Sequence, residues 1–401
     1  MSQRVPRLAG QRMAVWRISA AAALLGLGQN GFLVALPMLV AQSGLALEQW
    51  AGLLLLGSML FVVGSPFWGR FSDRHGSRPV VLQALGGYII SFTLVASALA
   101  AAIAGWLQGM TLIAVVAVAR IIYGLTVAGM VPGCQRWAVA LEPENHRARA
   151  LAAISAGLSS GRLLGPLVAS ASLTLSLYAP FVIMVIAGVL AMVLVLGVAD
   201  PHHDMQQQET PGAWSGRRFN PRLWPYIGLA LAISVALSLM QLGLPDALQH
   251  RLAITPDQAS HLMGIMLSLG ALGSLLVQVL AVRRRRLPWS WLVAGGILAA
   301  TAGTLLLTLG GTAAWLALGT VMTSIGIALA VPGYNSRAGQ LQGQGTGSGL
   351  MGMMHTLGYG LATAIVALSP ATTLLPLALL ACGCAALLGW PIALDARRAG
   401  E

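Results

Sequence analysis

GRFSDRHGSRP, residues 69–79, lies between two apolar runs that are each tens of residues long. Only 8% of the 401-residue chain is charged, yet four charged side chains and a histidine gather in this short link. Outward from it the chain is 57% hydrophobic, and apolar runs of about 20 residues recur along its length, as membrane-spanning helices require. A soluble fold cannot bury so much apolar surface. Every one of the 23 basic side chains is arginine. A net charge of +12 is compatible with nucleic-acid binding, but the arginines are spread over short links rather than gathered on one polar domain. The positive-inside rule accounts for them without a nucleic-acid partner. Cys134, Cys382 and Cys384 lie inside apolar runs and give neither a disulfide framework nor a metal spacing. The basic start MSQRVPRLAGQRMAVWR leads into a run as long as a full span without a clear cleavage site, which reads as a retained first helix.

The apolar pattern predicts twelve spans, at 14–41, 47–70, 79–104, 110–137, 149–175, 178–199, 223–249, 257–281, 288–309, 312–335, 346–369 and 371–393. Arginines crowd alternate links. One set holds Arg4, Arg7 and Arg12, then Arg70, Arg74 and Arg78, then Arg136, Arg147 and Arg149, then Arg217, Arg218 and Arg222, then Arg283 to Arg286, Arg337, Arg397 and Arg398; the opposite set holds Arg251. This asymmetry places both termini and the 200–222 link in the cytoplasm of a multi-pass inner-membrane protein. The central link divides the chain nearly in half, and the halves echo each other. VPGCQR at 131–136 recurs as VPGYNSR at 331–337, and LPMLVAQSGLALEQ at 36–49 is faintly matched by LPDALQHRLAITPDQ at 244–258. The expected fold is an all-α membrane protein of twelve transmembrane helices in two pseudo-symmetric six-helix bundles, 1–199 and 223–401, joined by a cytoplasmic loop at 200–222.

The opening link reads as G-x-x-x-D-R-x-G-x-R, with Gly69, Asp73, Arg74, Gly76 and Arg78. Its glycines permit a tight turn. Asp73 can face a helix N-terminus or an arginine across the half-to-half interface, a contact that breaks when the halves rock. The plainer alternative is a positive-inside loop with one stray acid; residue type, spacing and position together favour a switch.

With that link, the twelve spans and the two halves, the chain resembles the major facilitator superfamily over nearly its whole length. Three further stretches carry the resemblance. PENHRARA (143–150), with Arg147 and Arg149, enters the fifth span; R-x-x-Y-G (Arg120 to Gly124) is similar to the family's R-x-x-Q-G, with tyrosine for glutamine. GLSSGRLLGPLVA (157–169), with Gly161, Gly165 and Pro166, is similar to the glycine-and-proline motif of drug/proton antiporters, though Ala169 stands where glycine is usual. That motif implies export. The second half carries no D-R-x-G; RRRR (283–286) occupies the matching link.

A charge at bilayer depth is costly and marks function. Arg120 lies about ten residues into the fourth span, or about 15 Å at 1.5 Å per residue. Arg162 in the fifth span and His355 in the eleventh lie about as deep, and aligning GRLLGP (161–166) with MHTLGY (354–359) sets them opposite each other in the repeat. Gln29 and Asn30 are near the middle of the first span, and Tyr123 is one turn from Arg120. The alternatives are structural arginines bonded to carbonyls, a satisfied structural histidine, and helix-packing polar residues. No Asp or Glu falls near the middle of a span; Glu48, Asp246 and Asp257 sit near the outer ends. A cationic, donor-rich site favours a substrate with carboxylates, phosphates or many oxygen acceptors. It leaves His355 as the coupling proton's carrier, with Asp246 the second candidate.

The expected function is secondary active transport by alternating access, with no enzymatic activity. With no Walker motif, ATP is not the direct drive, and no cofactor is expected. The arginine inside the fifth-span motif resembles bacterial siderophore exporters. A multidrug exporter, an importer of a siderophore or organic anion, and a non-transporting receptor follow in that order. The expected partners are a small-molecule substrate, protons and the lipid bilayer, with the chain acting as a monomer.

Overall fold

In a bilayer core no water satisfies backbone N–H and C=O groups, so each apolar run must close its own hydrogen bonds, and a helix does that within one segment. The computed structural model describes residues 4–142, 147–199, 220–282, 288–342 and 344–399. Among the described residues every regular element is helical: α1 (Arg4–Ser43), α2 (Leu47–His75), α3 (Ser77–Ile103), α4 (Gly109–Val127), α5 (Met130–Leu141), α6 (Arg147–Leu173), α7 (Ala179–Leu196), α8 (Trp224–Leu252), α9 (Pro256–Val277), α10 (Trp289–Leu309), α11 (Ala313–Gln342), α12 (Gln344–Leu368) and α13 (Leu374–Ala399). Twelve spans are long and apolar enough to cross a membrane, with α4 and α5 sharing one, Gly109–Leu141. The protein is therefore a multi-pass membrane protein.

Several boundaries differ from the sequence reading, and two of them bear on the site. The link at 69–79 shrinks to one residue, because α2 continues to His75 and α3 begins at Ser77. Gly76 makes the turn alone at φ 89° and ψ 166°, a conformation that a side chain disfavours. Gly69 is thus not a turn glycine; it lies inside α2, and no described atom lies within 4 Å of where its Cβ would stand. The fourth span, expected to be continuous, breaks at Ala128–Gly129. A Cβ on Gly129 would meet Val80 Cγ1 at 2.7 Å and Trp68 Cβ at 2.9 Å, so the chain packs tightly against α2 and α3 where it breaks.

The chain divides into two compact units. One comprises Met1–Leu45 and Leu56–Glu209, the other Ala46–Leu55 and Thr210–Glu401. In the first, the tightest seam joins α1 and α6. Gly157, Gly161 and Gly165 recur every four residues, so they line one stripe of α6. Added Cβ atoms there would strike the α1 backbone at Ser19, Ala23 and Leu27. Small residues let membrane helices pack backbone to backbone where no hydrophobic effect drives them together. Ala169 continues the stripe beside Gly31. A core of five buried rings (Phe32, Tyr88, Phe92, Tyr123 and Phe181) holds α1, α3, α4 and α7 together.

In the second unit, Gly296 and Gly303 of α10 meet Gly326 and Gly319 of α11 in the same way, and Gly358 of α12 rests on Ser234 of α8. Arg251, the one arginine on the arginine-poor side, donates from Nη1 to Leu307 O at 2.7 Å and Gly310 O at 3.0 Å. It therefore caps the carbonyl-rich end of α10, where a cation is favoured. Large apolar side chains such as Val193, Leu298, Leu309 and Leu387 remain exposed, at 62%, 73%, 75% and 78%, as a lipid-facing surface requires. Exposed Trp16, Trp224 and Trp291 stand at the starts of odd-numbered spans, and Trp106 and Trp315 mark the opposite ends. This is the pattern of interfacial aromatic belts.

Candidate functional site

The charged link is built around Arg78. Its Nη2 donates to Leu196 O at 2.8 Å, at the C-terminal end of α7. Trp137 Nε1 donates to Ala199 O at 2.9 Å close by, so the end of that helix is held by a cation and an indole. Arg74 is exposed, as is Arg149 near the start of α6. The side chains of Asp73 and Arg147, and residues 143–146, lie outside the described ones.

In the first unit three of the expected polar residues converge. Asn30 Nδ2 donates to the backbone oxygen of Arg162 at 3.2 Å. Gly26, one turn before Asn30 on α1, leaves room for the arginine: a Cβ there would stand 2.6 Å from Arg162 N and 3.0 Å from its Cγ. Arg162 itself is exposed, and so is Gln29 beside Asn30. Arg120 belongs to a different setting. It is only 7% exposed, and its guanidinium carbon lies 5.3 Å from the Phe32 ring centre and 4.6 Å from that of Tyr123. A Cβ on Gly57 would stand 3.1 Å from Arg120 Nη2, so α2 also closes on it. Stacking on ring faces suits a planar guanidinium. Helix α1 touches both arginines, Arg162 through Gly26 and Asn30 and Arg120 through Phe32. Tyr88 is fully buried beside Gly28, and among the described residues its hydroxyl has no hydrogen-bond partner.

In the second unit His355 sits between α8 and α11. Ser234 Oγ is 2.6 Å from Nδ1 and Tyr334 Oη is 2.9 Å from Nε2. The offset of 208 residues between Leu36-Pro37 and Leu244-Pro245 carries Gly26 onto Ser234 and Asn30 onto Ser238. Gly26 touches Arg162 and Ser234 touches His355, so the two halves of the repeat place different chemistry in equivalent positions. Asp246 lies away from this histidine in the chain, near the end of α8, with an oxygen 3.3 Å from His250 Nε2 one turn on.

A second cluster in this unit joins three helices. Arg337 Nε donates to Asp395 Oδ2 at 2.8 Å, and Tyr226 Oη donates to the same oxygen at 2.8 Å. The Arg337 guanidinium also lies 5.5 Å from the Trp289 ring centre. Burial pushes the Asp395 carboxyl up, but hydrogen bonds from Arg337 and Tyr226 and the charges of Arg337 and Arg222 outweigh it. The group is held below the usual carboxylate range.

Residues 18–363 match the family model described as Major Facilitator Superfamily. The chain belongs to the major facilitator superfamily. Among curated superfamily relatives, Multidrug resistance protein MdtG of Salmonella arizonae is 35% identical over 138 residues, covering 33% of this chain and 31% of the relative. Tetracycline resistance protein, class E, of Escherichia coli is 29% identical over 160 residues, covering 40% and 36%. The chain spans about a third of the length of the curated relatives it matches. Among solved superfamily folds, a mutant of the nucleoside transporter NupG aligns with a TM-score of 0.71 at 12% identity, covering 95% of this chain and 98% of that one. The human organic anion transporter MFSD10 (TETRAN) aligns with a TM-score of 0.64 at 20% identity, covering 96% and 98%. At such identities these structures show a shared fold alone.

Sequence reasoning did not pick out Ser234, Tyr334 or the Arg337–Asp395 pair. Tyr334 lies inside the repeated VPGYNSR, where the first half has Cys134; that swap of a small residue for a hydroxyl-bearing ring was the available signal. Asp395 is a single acid just past the last span (Ala371–Ala393). Nothing in the linear sequence joins it to Arg337, 58 positions earlier.

Proposed function

We propose that this member of the superfamily is a secondary active transporter of the bacterial inner membrane. It exports a small anionic or oxygen-rich organic molecule by proton-coupled alternating access of two six-helix halves, 1–199 and 223–401, joined by a cytoplasmic link at 200–222. One observation carries the substrate class: Arg162 is an arginine deep inside a membrane span, with Gln29 and Asn30 beside it. A guanidinium at that depth is costly without water or an anion, and its fork suits carboxylate or phosphate oxygens. Arg120 and Tyr123 form the inner wall behind α1. His355 exchanges the coupling proton, with Asp246 the second candidate. Gly69, Asp73, Arg74, Gly76, Arg78, Arg147 and Arg149 belong to the cytoplasmic switch, and Gly161, Gly165 and Pro166 to the α6 element that moves with it. Efflux is supported by relatives named for multidrug and tetracycline resistance. Those names favour a drug-like compound over a siderophore.

The test is counterflow in proteoliposomes with a panel of tetracycline, simple dicarboxylates, a hydroxamate siderophore and a lipophilic cation. Transport of an oxygen-rich or anionic compound is expected, together with its collapse by a protonophore. Arg162→Gln should weaken binding of the transported compound by roughly ten- to a hundredfold, since a charged hydrogen bond is worth about 1.5–3 kcal/mol. Arg162→Lys should lose less, because it keeps the charge without the fork. Exclusive transport of the cation, or wild-type affinity in Arg162→Gln, rejects the substrate class.

A further inference from the structure

The surroundings of His355 permit a count of protons. Ser234 Oγ is within bonding distance of two groups, Ala230 O at 2.8 Å and His355 Nδ1 at 2.6 Å, and has one proton to give. Tyr334 is fully buried, and among the described residues its only hydrogen-bond partner is His355 Nε2, at 2.9 Å.

Two arrangements of a neutral ring follow. With the ring proton on Nδ1, the serine gives its proton to Ala230 O, Nδ1–H donates to Ser234 Oγ, and the tyrosine donates to Nε2; every proton then has an acceptor. With the ring proton on Nε2, the serine turns to Nδ1 and Nε2–H points at Tyr334 Oη, which leaves the buried tyrosine proton without an acceptor. A buried donor that loses its partner bears the full cost of its desolvation. The first arrangement therefore wins.

We infer that Ser234 and Tyr334 are positioning residues that hold His355 as the Nδ1–H tautomer, so that the coupling proton enters and leaves at Nε2. Its arrival displaces the Tyr334 hydroxyl proton from that nitrogen. The incoming proton adds to the Nε2 lone pair and the ring becomes a cation; no other bond breaks. The tyrosine oxygen then accepts from Nε2–H, and its own proton must find an acceptor that this arrangement does not offer. Protonation is thereby tied to a rearrangement between α11 and α12. From α11 the titratable group facing the ring is Tyr334, and from α8 the facing group is the neutral Ser234 hydroxyl. Arg337, one turn beyond Tyr334, is bonded to Asp395. The inference rests on the proton-coupled reading of the transporter, but its first test does not.

That test is nitrogen NMR of the full chain in lipid nanodiscs, labelled with ¹⁵N in the imidazole rings. His355 is assigned among the seven histidines by difference from His355→Gln. Near neutral pH the expected spectrum has a protonated nitrogen at Nδ1 and a bare one at Nε2. Tyr334→Phe should move the Nε2 signal and keep Nδ1 protonated. Ser234→Ala keeps the Cβ that packs on Gly358, so folding is spared, and it should yield a mixture of tautomers. A bare Nδ1 in the wild type, or an unchanged tautomer in Ser234→Ala, overturns the inference.

The second test is the pH profile of transport in proteoliposomes. Ser234→Ala should shift it by about 0.5 pH unit or more, with KM within about twofold, a split that a merely structural role would not produce. If His355→Gln keeps the wild-type profile, the proton-coupled reading fails while the tautomer is still decided by the spectrum. If His355→Gln abolishes the profile and Ser234→Ala leaves it untouched, this inference fails alone.

Discussion

Asp395→Asn removes one charge from a pair that is nearly closed to water: the Arg337 and Asp395 side chains are 14% and 10% exposed. With charge centres roughly 4 Å apart, the attraction is about 4 kcal/mol at an effective dielectric of 20. While both charges are present, much of that offsets their desolvation. Removing one leaves the other's cost uncovered, and such losses run to about 3–5 kcal/mol. Asp395→Ala also strips Tyr226 of its acceptor, which adds about 1 kcal/mol or more. Thermal unfolding in detergent, followed by tryptophan fluorescence, reads the effect. At about 2–4 °C per kcal/mol for a unit of this size, Asp395→Asn should lower the midpoint by about 6–20 °C, and Asp395→Ala by more. The double variant Asp395→Asn, Arg337→Gln should be less damaged than the sum of the two singles, because it leaves no unpaired charge. A midpoint unchanged in Asp395→Asn, or a double variant that matches the sum, refutes the buried-pair account.

The same carboxyl sets an acid limit. Its folded value is depressed, so its contribution is full above the unfolded value of about 3.9 and is lost as pH falls through the lower folded value. Melts between pH 6 and 3 should show an acid loss in the wild type that Asp395→Asn lacks. Gly161→Ala should destabilise the protein by about 1–3 kcal/mol, since its Cβ would collide with Ala23 O on α1, whereas Gly69→Ala should be neutral or stabilising by about 0.5–1 kcal/mol. Equal melting of those two variants would contradict the packing described. Tyr88→Phe removes a buried hydroxyl that has no partner among the described residues. It should raise the midpoint modestly, by the equivalent of about 1 kcal/mol, and a lowered midpoint would show that the hydroxyl is satisfied after all.

Most of the fold is legible in the sequence because hydrophobic length is a one-dimensional signal. The spans from 47, from 149 and from 371 begin within three residues of the helices observed. The break at Ala128–Gly129 was harder to read, since VPG follows it at 131–133 and recurs at 331–333 inside an unbroken α11. What differs is Gly129, where the second half has Leu329, together with the approach of Trp68 and Val80, which only the tertiary structure shows. The polar residues at mid-span were visible because charge is rare there. Their surroundings were not: Arg120 is covered by rings from α1 and α4, while Arg162 is exposed. Arg251 read as an exception to a charge count until its carbonyl partners on α10 gave it a reason.

The glycine seam between α1 and α6 limits what can flex. Where backbone lies on backbone, there are no side chains to change rotamer, so sliding one helix would break the contact outright. Asn30 and Arg162 are therefore expected to move together, and the polar patch they share to keep its dimensions if the halves rock as proposed. For distance measurements this supplies an internal standard. Spin labels on the outer faces of these two helices should give one narrow, invariant separation, against which the spread of any other labelled pair can be judged.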